Sequence, residues 1–344
     1  MKYSIVIPTY NRANELTGTL ASVARIACVE PWEVVVVDNN CTDETPAVVR
    51  RAAPGFPVPL KYVFEKVPGR CAALNAGMAQ AAGDILVTID DDVRVAPDFL
   101  DEVGRAFASL KCDYIGGKVH PLWRGARPSW MPAHQTRHWA VIALLDKGPT
   151  PFEWGAVLPL GANMAITRRA FELTGPWNNE VGRKAGTLLG QEVREWCIRA
   201  HDKGLRGYYA PNVRVEHVIH GDRLNKSYFR RWFYWRGISR AIMYRERGLD
   251  MEDPQARDRD FSRTRHVAGV PRYLLRTAAR TALAMLRARM RGARVEAFEH
   301  ELLLWMFAGI AHQRWRDRRR PLAWARHAGA PTPPAPGEVT DEAA

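Results

Sequence analysis

The sequence predicts an α/β fold: a Rossmann-like, mostly parallel sheet with helices on both faces, followed by a helical C-terminal extension. Two observations support this prediction. Short runs rich in Val and Ile alternate with amphipathic stretches over residues 3–90, as expected when crossover helices join parallel strands. Beyond residue 270, apolar residues recur at helical spacing. The chain therefore begins as a sheet protein and ends as a helical one.

The sheet and its crossover helices follow one another in order along the N-terminal half. Short, β-branched and almost wholly apolar runs predict buried strands. These strands lie at YSIVIP, WEVVVVDN, KYVFEK and DILVTID. The helices predicted between them span residues 14–27, 43–53 and 69–82.

The C-terminal third is predicted to contain two helices. Residues 271–291 place apolar side chains at helical spacing beside four arginines, which is typical of a helix lying on anionic lipid. A helix packed on its own domain with a solvated arginine face is the alternative. Residues 294–316 predict the second helix. The predicted domains are 1–240 for the sheet, 241–325 for a basic helical extension and 326–344 for a disordered, Pro-rich tail.

Charge and composition narrow the class of protein. The 344 residues carry a net charge of +13. Residues 221–320 contain 24 Lys and Arg against 11 Asp and Glu, a surplus equal to that of the whole chain. Such asymmetry predicts an anionic partner for this part, either nucleic acid or a membrane surface. The five cysteines have no CxxC pair, which argues against a disulfide framework or a zinc knuckle.

The location expected from the sequence is the cytoplasm, with the alternative of peripheral attachment to the inner face of the membrane. The N-terminal apolar run is too short for a secretory signal and has no small-residue cleavage site. The longest apolar stretch, residues 302–311, is too short to span a bilayer.

Polar side chains follow each of the predicted strands. Because ligands of parallel sheets bind outside the carboxyl ends of the strands, we expect these side chains to share one site. They are Thr9 and Asn11, Asp38 and Asn39, Arg70, and Asp90 to Asp92.

The three adjacent carboxylates indicate a divalent cation. Asp90 and Asp92 flank one residue, so on an extended strand end they point to the same side and can both reach Mg²⁺ or Mn²⁺. The alternative is an acidic loop in which Asp92 caps a following helix. Asp38 suits a nucleobase or ribose contact or a turn cap. Arg70 suits a base or diphosphate, or a solvated helix start.

Five blocks together resemble the family 2 glycosyltransferases with a GT-A fold. They are IVIPTYNR, VVVVDNNCTDET, PGRCAALNAGMAQAAGDILVTIDDDV, PLGANMAITRRAF and LLGQEVREWCIRAHDKGLRGYYAPNVRVEHV, within residues 3–240. The resemblance implies metal-dependent, inverting transfer of a sugar from a nucleotide diphosphate sugar to a saccharide or lipid-linked acceptor. UDP is the nucleotide expected, because the family uses it most.

The resemblance also implies roles for individual residues. It assigns the nucleotide to Pro8, Thr9, Asn11, Asp38, Arg70, Asn75, Asp90 and Asp91. It assigns the donor sugar and acceptor to Gly161, Ala162 and Asn163, and the metal to Asp92 with Asp90 and His217. Arg223, in HGDRLNKSYF, suits closure over the diphosphate or a solvated surface charge. The catalytic base, usually the second acid of a Glu-Asp pair, is in question because Val193 takes that place; Glu192 is our choice and Glu195 the alternative.

Two other functions remain open. A nucleotidyltransferase shares the parallel sheet and metal carboxylates, but would carry a Gly-rich loop after the first strand, where this chain has PTYNRANE. A nucleic-acid-binding protein would interleave aromatic and basic residues, as YFRRWFYWRG does. The anionic partner expected for the basic helices is a membrane surface, with nucleic acid disfavoured.

Overall fold

The computed structural model describes residues 2–132, 136, 138–155, 158–184, 186–248, 251, 265–267 and 269–320. The tail predicted over residues 326–344 lies outside this part of the chain. The division into domains at residues 240 and 325 stays a prediction; a single helix, Lys226–Arg247, runs through position 240.

The α/β fold class is confirmed. The strands are β1 Tyr3–Thr9, β2 Trp32–Asp38, β3 Leu60–Phe64, β4 Ile85–Ile89, β5 Val93–Val95, β6 Tyr114–Trp123, β7 Phe152–Glu153, β8 Asn163–Thr167, β9 Gly207–Ile219, β10 His266–Val267 and β11 Val270–Pro271. The helices are α1 Ala13–Val23, α2 Thr45–Ala52, α3 Arg70–Gln80, α4 Phe99–Leu110, α5 Arg168–Thr174, α6 Glu192–Asp202, α7 Lys226–Arg247, α8 Arg272–Met290 and α9 Arg294–Arg316.

Among the described residues, the main sheet has nine strands. Eight of them lie in the order β3-β2-β1-β4-β8-β6-β9-β5, and β7 pairs with β9. Strands β1 to β4 are parallel, and β8 runs against β4 and β6. Every residue of β1 and β2 is buried, which is why these strands read as continuous apolar runs. Because strands β1 to β4 are parallel, their carboxyl ends lie at the same edge of the sheet, as the sequence predicts.

Strand β9 positions the second half of the site. It pairs in parallel with β6 and antiparallel with β5, so that Val93 lies opposite His217. This register brings His217 beside Asp92, the residue before Val93. Since a strand rather than a helix follows Asp92, the interpretation of Asp92 as a helix cap is wrong.

The C-terminal helices form a layered pack in which α9 contacts both α7 and α8. Two glycines allow α7 and α9 to cross closely. A Cβ atom at Gly237 would lie 2.0 Å from the Met306 carbonyl oxygen, and one at Gly309 would lie 2.0 Å from that of Tyr234. Only residues without a side chain fit at such a crossing.

Candidate active site

A cavity of about 990 Å³ opens where β1 and β4 end and α6 begins. Many of the predicted residues line it. They are Pro8, Thr9, Asn39, Arg70, Asp90, Asp91, Asp92, Gly161, Ala162, Glu192, His217 and Arg223. The sheet edge therefore brings residues from all five sequence blocks to one cavity.

Asp92 and His217 form a buried pair in this cavity, each with a side chain 2–3% exposed. Asp92 Oδ1 lies 3.1 Å from His217 Nε2, and His217 Nδ1 lies 2.9 Å from the Ile142 carbonyl oxygen, to which it donates. Burial disfavours the imidazolium, but the Asp92 carboxylate outweighs it and raises the pKa of His217. Burial likewise opposes ionisation of Asp92, but His217, followed by Arg12 and Arg223, holds its pKa well below the usual range.

The pair fits a hard divalent cation. A histidine that donates Nδ1–H to a backbone carbonyl presents Nε2 as a ligand, and here Nε2 faces a carboxylate oxygen. Within the described residues, no group of three or more His, Cys, Asp or Glu is arranged to hold a metal ion. Mg²⁺ usually takes only one or two protein carboxylates and completes its shell with water and phosphate oxygens. Asp92 and His217 would thus supply the protein's share.

Asp91 lies toward the end of β1 on the same turn. Its Oδ2 accepts a hydrogen bond of 2.8 Å from the Thr9 hydroxyl, and its Oδ1 lies 3.3 Å from Arg12 Nη1. Burial, and then the neighbouring carboxylate of Asp92, raises the pKa of Asp91 to about 7. Arg12 bridges both carboxylates, because the same Nη1 atom also donates to Asp92.

Arg70 connects three of the predicted blocks. Its Nη2 donates to Asp90 Oδ1 at 2.8 Å and to the Gly161 carbonyl at 3.1 Å, and its Nη1 lies 3.5 Å from Glu192 Oε1. A Cβ atom at position 161 would lie 2.7 Å from Arg70 Nη2. The guanidinium of Arg70 therefore lies in the space that Gly161 leaves, and the assignment of Gly161 to the donor sugar stays a prediction. Asp90 is held by Arg70, so its assignment to the metal stays a prediction.

Glu192 is the first residue of α6, where the N-terminal end of the helix dipole favours negative charge. It lines the cavity and is 9% exposed. Its Oε2 is buried and has no hydrogen-bond partner among the residues that the structure describes. Glu195, the alternative base, lies outside the cavity lining and accepts hydrogen bonds from Arg199 and Arg247. The geometry therefore favours Glu192 and gives Glu195 a structural place between α6 and α7.

Two of the residues predicted to bind the nucleotide are engaged in turns. Asp38 accepts from the Cys41 backbone N–H at 2.7 Å and from the Tyr62 hydroxyl at 2.8 Å. Asn11 adopts a positive φ of 53°, and its Oδ1 accepts from the Thr42 N–H at 2.7 Å. Neither residue lines the cavity, and the structure favours the turn-cap interpretation for Asp38.

Two predicted asparagines likewise bind backbone. Asn75 pairs with Trp177, donating to its carbonyl at 2.9 Å and accepting from its N–H at 2.8 Å. Asn163, 1% exposed, donates to the carbonyls of Lys118 and Val213. Both amides thus hold the walls of the site together, and their contact with a ligand stays a prediction.

Comparison with known proteins places this site in a family. Residues 4–157 match the sequence profile of "Glycosyl transferase family 2". This part of the chain belongs to that family. The glycosyltransferase is 25% identical over 262 residues to the glucosyl-dolichyl phosphate glucuronosyltransferase of Haloferax volcanii, covering 75% of the chain and 80% of that protein. It is 39% identical over 108 residues to the validoxylamine A glucosyltransferase of Streptomyces hygroscopicus, covering 30% of the chain and 25% of that protein.

A third relative is the undecaprenyl-phosphate 4-deoxy-4-formamido-L-arabinose transferase of Pectobacterium atrosepticum, 31% identical over 121 residues, with 33% of the chain and 35% of that protein covered. A solved structure resembles the glycosyltransferase along most of its length. The mannosyltransferase PcManGT from Pyrobaculum calidifontis, in complex with GDP-Man and Mn²⁺, superposes with a TM-score of 0.63 at 20% identity, covering 91% of the chain and 87% of that protein. At this identity the likeness shows the GT-A fold.

Because the enzyme is a glycosyltransferase, the nucleotidyltransferase alternative is excluded. The nucleic-acid alternative depended on YFRRWFYWRG, which lies in helix α7, where Phe229 and Phe233 are buried in the core. These rings are not free to stack on bases.

Sequence analysis missed part of the cavity wall. Tyr228, Trp232 and Arg236 line it from one face of α7. Their spacing of four residues was a visible signal of a shared helix face. Arg12, next to the predicted Asn11, was missed because its role depends on the distant Asp91 and Asp92.

Proposed function

We propose that the enzyme transfers a sugar, with inversion, from a nucleotide diphosphate sugar to a hydroxyl of a saccharide, free or lipid-linked, using Mg²⁺ or Mn²⁺. UDP is the nucleotide we expect. The observation that carries the proposal is the buried Oε2 of Glu192 in the wall of the cavity, which no hydrogen-bond donor of the described residues reaches. A buried carboxylate oxygen that accepts no hydrogen bond is costly. The hydroxyl group of the acceptor sugar would donate the missing hydrogen bond.

The donor would occupy the side of the cavity formed by the strand ends. Asp92 and His217 would hold the metal, which supplies neutralisation of charge on the diphosphate leaving group. Arg223, 3.6 Å from Asp92 at the cavity wall, would turn toward the diphosphate oxygens. Asp91 and Thr9, already bonded to each other, would face the nucleoside.

The acceptor would lie on the other side, between α6 and α7. Trp232 and Tyr228 offer flat faces suited to a sugar ring. Glu192 would take the proton of the attacking hydroxyl, and Arg70 would keep its carboxylate in place through Oε1. Related proteins named for dolichyl and undecaprenyl phosphates support a lipid-linked acceptor. Such an acceptor would bring the enzyme to the inner face of a membrane, although no helix among the described residues is long and apolar enough to cross one.

The requirement for a base separates two acceptor classes. A sugar hydroxyl must lose its proton as it attacks, whereas a phosphate monoester, with a second pKa of about 6, is already a dianion at neutral pH. The proposed hydroxyl acceptor therefore depends on Glu192, and a lipid phosphate acceptor would not.

The test is a comparison of Glu192→Gln with Glu195→Gln, a matched buried carboxylate one helical turn away. Each is incubated with Mn²⁺, a panel of UDP- and GDP-sugars, and glucosylated or free polyprenyl phosphate, and released nucleoside diphosphate is measured. We expect Glu192→Gln to lose about 10²–10⁴-fold in rate while binding donor normally by calorimetry. Glu195→Gln should transfer normally but melt at lower temperature. A folded Glu192→Gln enzyme with the normal rate would overturn the assignment.

A further inference from the structure

Helix α8 carries an apolar stripe on the side that faces away from the protein. Leu275, Leu283, Leu286 and Met290 are 44%, 48%, 51% and 79% exposed. At 3.6 residues per turn, these four positions fall within a sector of about 80°. They form one continuous apolar surface, which we call the stripe.

The stripe plays no part in holding α8 to the enzyme. The helix packs against α9, and its buried residues are Leu274, Thr281 and Ala288, at 2%, 8% and 0% exposure. These repeat every seven residues and lie roughly opposite the stripe around the helix. Burial of α8 against its neighbours therefore leaves the apolar stripe without a partner in the described part of the chain.

A row of exposed arginines borders the stripe. Arg276, Arg280, Arg287 and Arg291 follow one another around a sector of about 60° beside it. Helix α8 itself, RYLLRTAARTALAMLRARM, contains no Asp or Glu; Arg291, just beyond its end, pairs with Glu296 of α9 at 2.9 Å. A helix with an apolar stripe edged by arginine, and with no acidic residue of its own, has the pattern of a helix that lies in the plane of a membrane interface.

We propose that helix α8 docks the enzyme on an anionic lipid bilayer, with the stripe inserted at the headgroup boundary and the arginine row on lipid phosphates. Self-association through the stripe would bring two arginine rows together without carboxylates from α8 to offset them. Anionic headgroups instead attract each arginine near the surface. The arginine side chains are long, so their guanidinium groups can reach the lipid phosphates while the helix axis lies deeper in the bilayer than the phosphates. This extends the proposed function, since a lipid-linked acceptor lies in a bilayer, but it is testable without substrate.

The test is cosedimentation of the full-length enzyme with vesicles of phosphatidylcholine alone or with about a third phosphatidylglycerol. We expect at least tenfold tighter binding to the anionic vesicles, weakening as salt rises. Replacing the four stripe residues with Gln should reduce that binding at least tenfold. Replacing the four arginines of the row with Gln should abolish the preference for anionic lipid.

Two matched controls separate the surface from general effects. Gln at four exposed apolar residues elsewhere, Val29, Phe64, Val67 and Leu173, should leave vesicle binding unchanged. Gln at four other exposed cations should do the same; these are Arg25, Arg50, Arg51 and Lys66. Wild-type enzyme that ignores anionic vesicles at low salt, or a stripe variant that binds as tightly, would overturn the proposal.

Two further measurements distinguish failure of the docking proposal from failure of the proposed function. Analytical ultracentrifugation could show that the wild-type enzyme is a dimer and the stripe variant a monomer. That result, together with no vesicle binding, would overturn the proposal, because the stripe would then contact a second copy of the chain. Donor hydrolysis in solution should be equal in wild-type and stripe variant. If hydrolysis is absent from the wild-type enzyme but stripe-dependent vesicle binding persists, the docking surface stands and the proposed function falls.

Discussion

Arg70 offers the sharpest test of how the cavity works, because one side chain spans its donor and acceptor sides. The guanidinium contacts Asp90 at 2.8 Å, the Gly161 carbonyl at 3.1 Å and Glu192 at 3.5 Å, with the Arg70 side chain 16% exposed. Arg70→Lys keeps the positive charge but loses the planar fork. Arg70→Met loses both.

The structure sets the size of each effect. A lysine cannot keep all three contacts, and losing one charge-assisted hydrogen bond costs about 1.5–3 kcal/mol. If that loss falls wholly on the transition state, kcat/KM drops about 10–150-fold. Arg70→Met leaves Asp90 and Glu192 as uncompensated carboxylates, and breaking a buried ion pair costs about 3–5 kcal/mol.

The assay is the release of nucleoside diphosphate with Mn²⁺, measured as kcat/KM. Arg70→Met loses the charge as well as the planar fork, so it should lower kcat/KM further than Arg70→Lys does. The matched control is Arg199→Lys, an equally buried arginine that pairs with Glu195, which should affect stability alone. An Arg70→Met enzyme that folds and has a normal kcat/KM would refute the reasoning.

Two more predictions concern residues that shape the site from outside. Gly309→Ala should lower the free energy of unfolding in urea by about 1–3 kcal/mol, because its Cβ would lie 2.0 Å from the Tyr234 carbonyl oxygen; Gly55→Ala, with open space around it, should not. Asn75→Ala should lower the melting temperature through loss of its two bonds to Trp177 while KM for the donor stays unchanged. A raised KM with normal stability would instead support the nucleotide role that the family resemblance implies for Asn75.

The sequence predicted secondary structure well where the pattern is local. The runs at β1 and β2 were recognisable because every residue in them is buried, and buried parallel strands are continuous apolar segments. The helices predicted at 271–291 and 294–316 are α8, Arg272–Met290, and α9, Arg294–Arg316. Helical periodicity depends only on residues within a few turns, so it survives without knowledge of the fold.

Polar side chains were harder to place, because their partners are distant in sequence. Asp38 and Asn163 were both assigned to ligands, yet their hydrogen bonds go to the protein itself. An Asn or Asp at a strand end has the same appearance in sequence whether it binds a ligand or a backbone group. Only the fold shows which donors and acceptors it meets.

By itself, the sequence determined the α/β order, the family resemblance and the polar edge of the sheet, since these rest on local patterns and on blocks read in order. Tertiary structure alone decided which groups meet. The register of β5 on β9 sets His217 beside Asp92, and Arg70 reaches Glu192 across 122 positions. It also decided that the apolar stripe of α8 faces outward. Periodicity reports that a helix has an apolar side, but the packing of the whole chain determines what that side contacts.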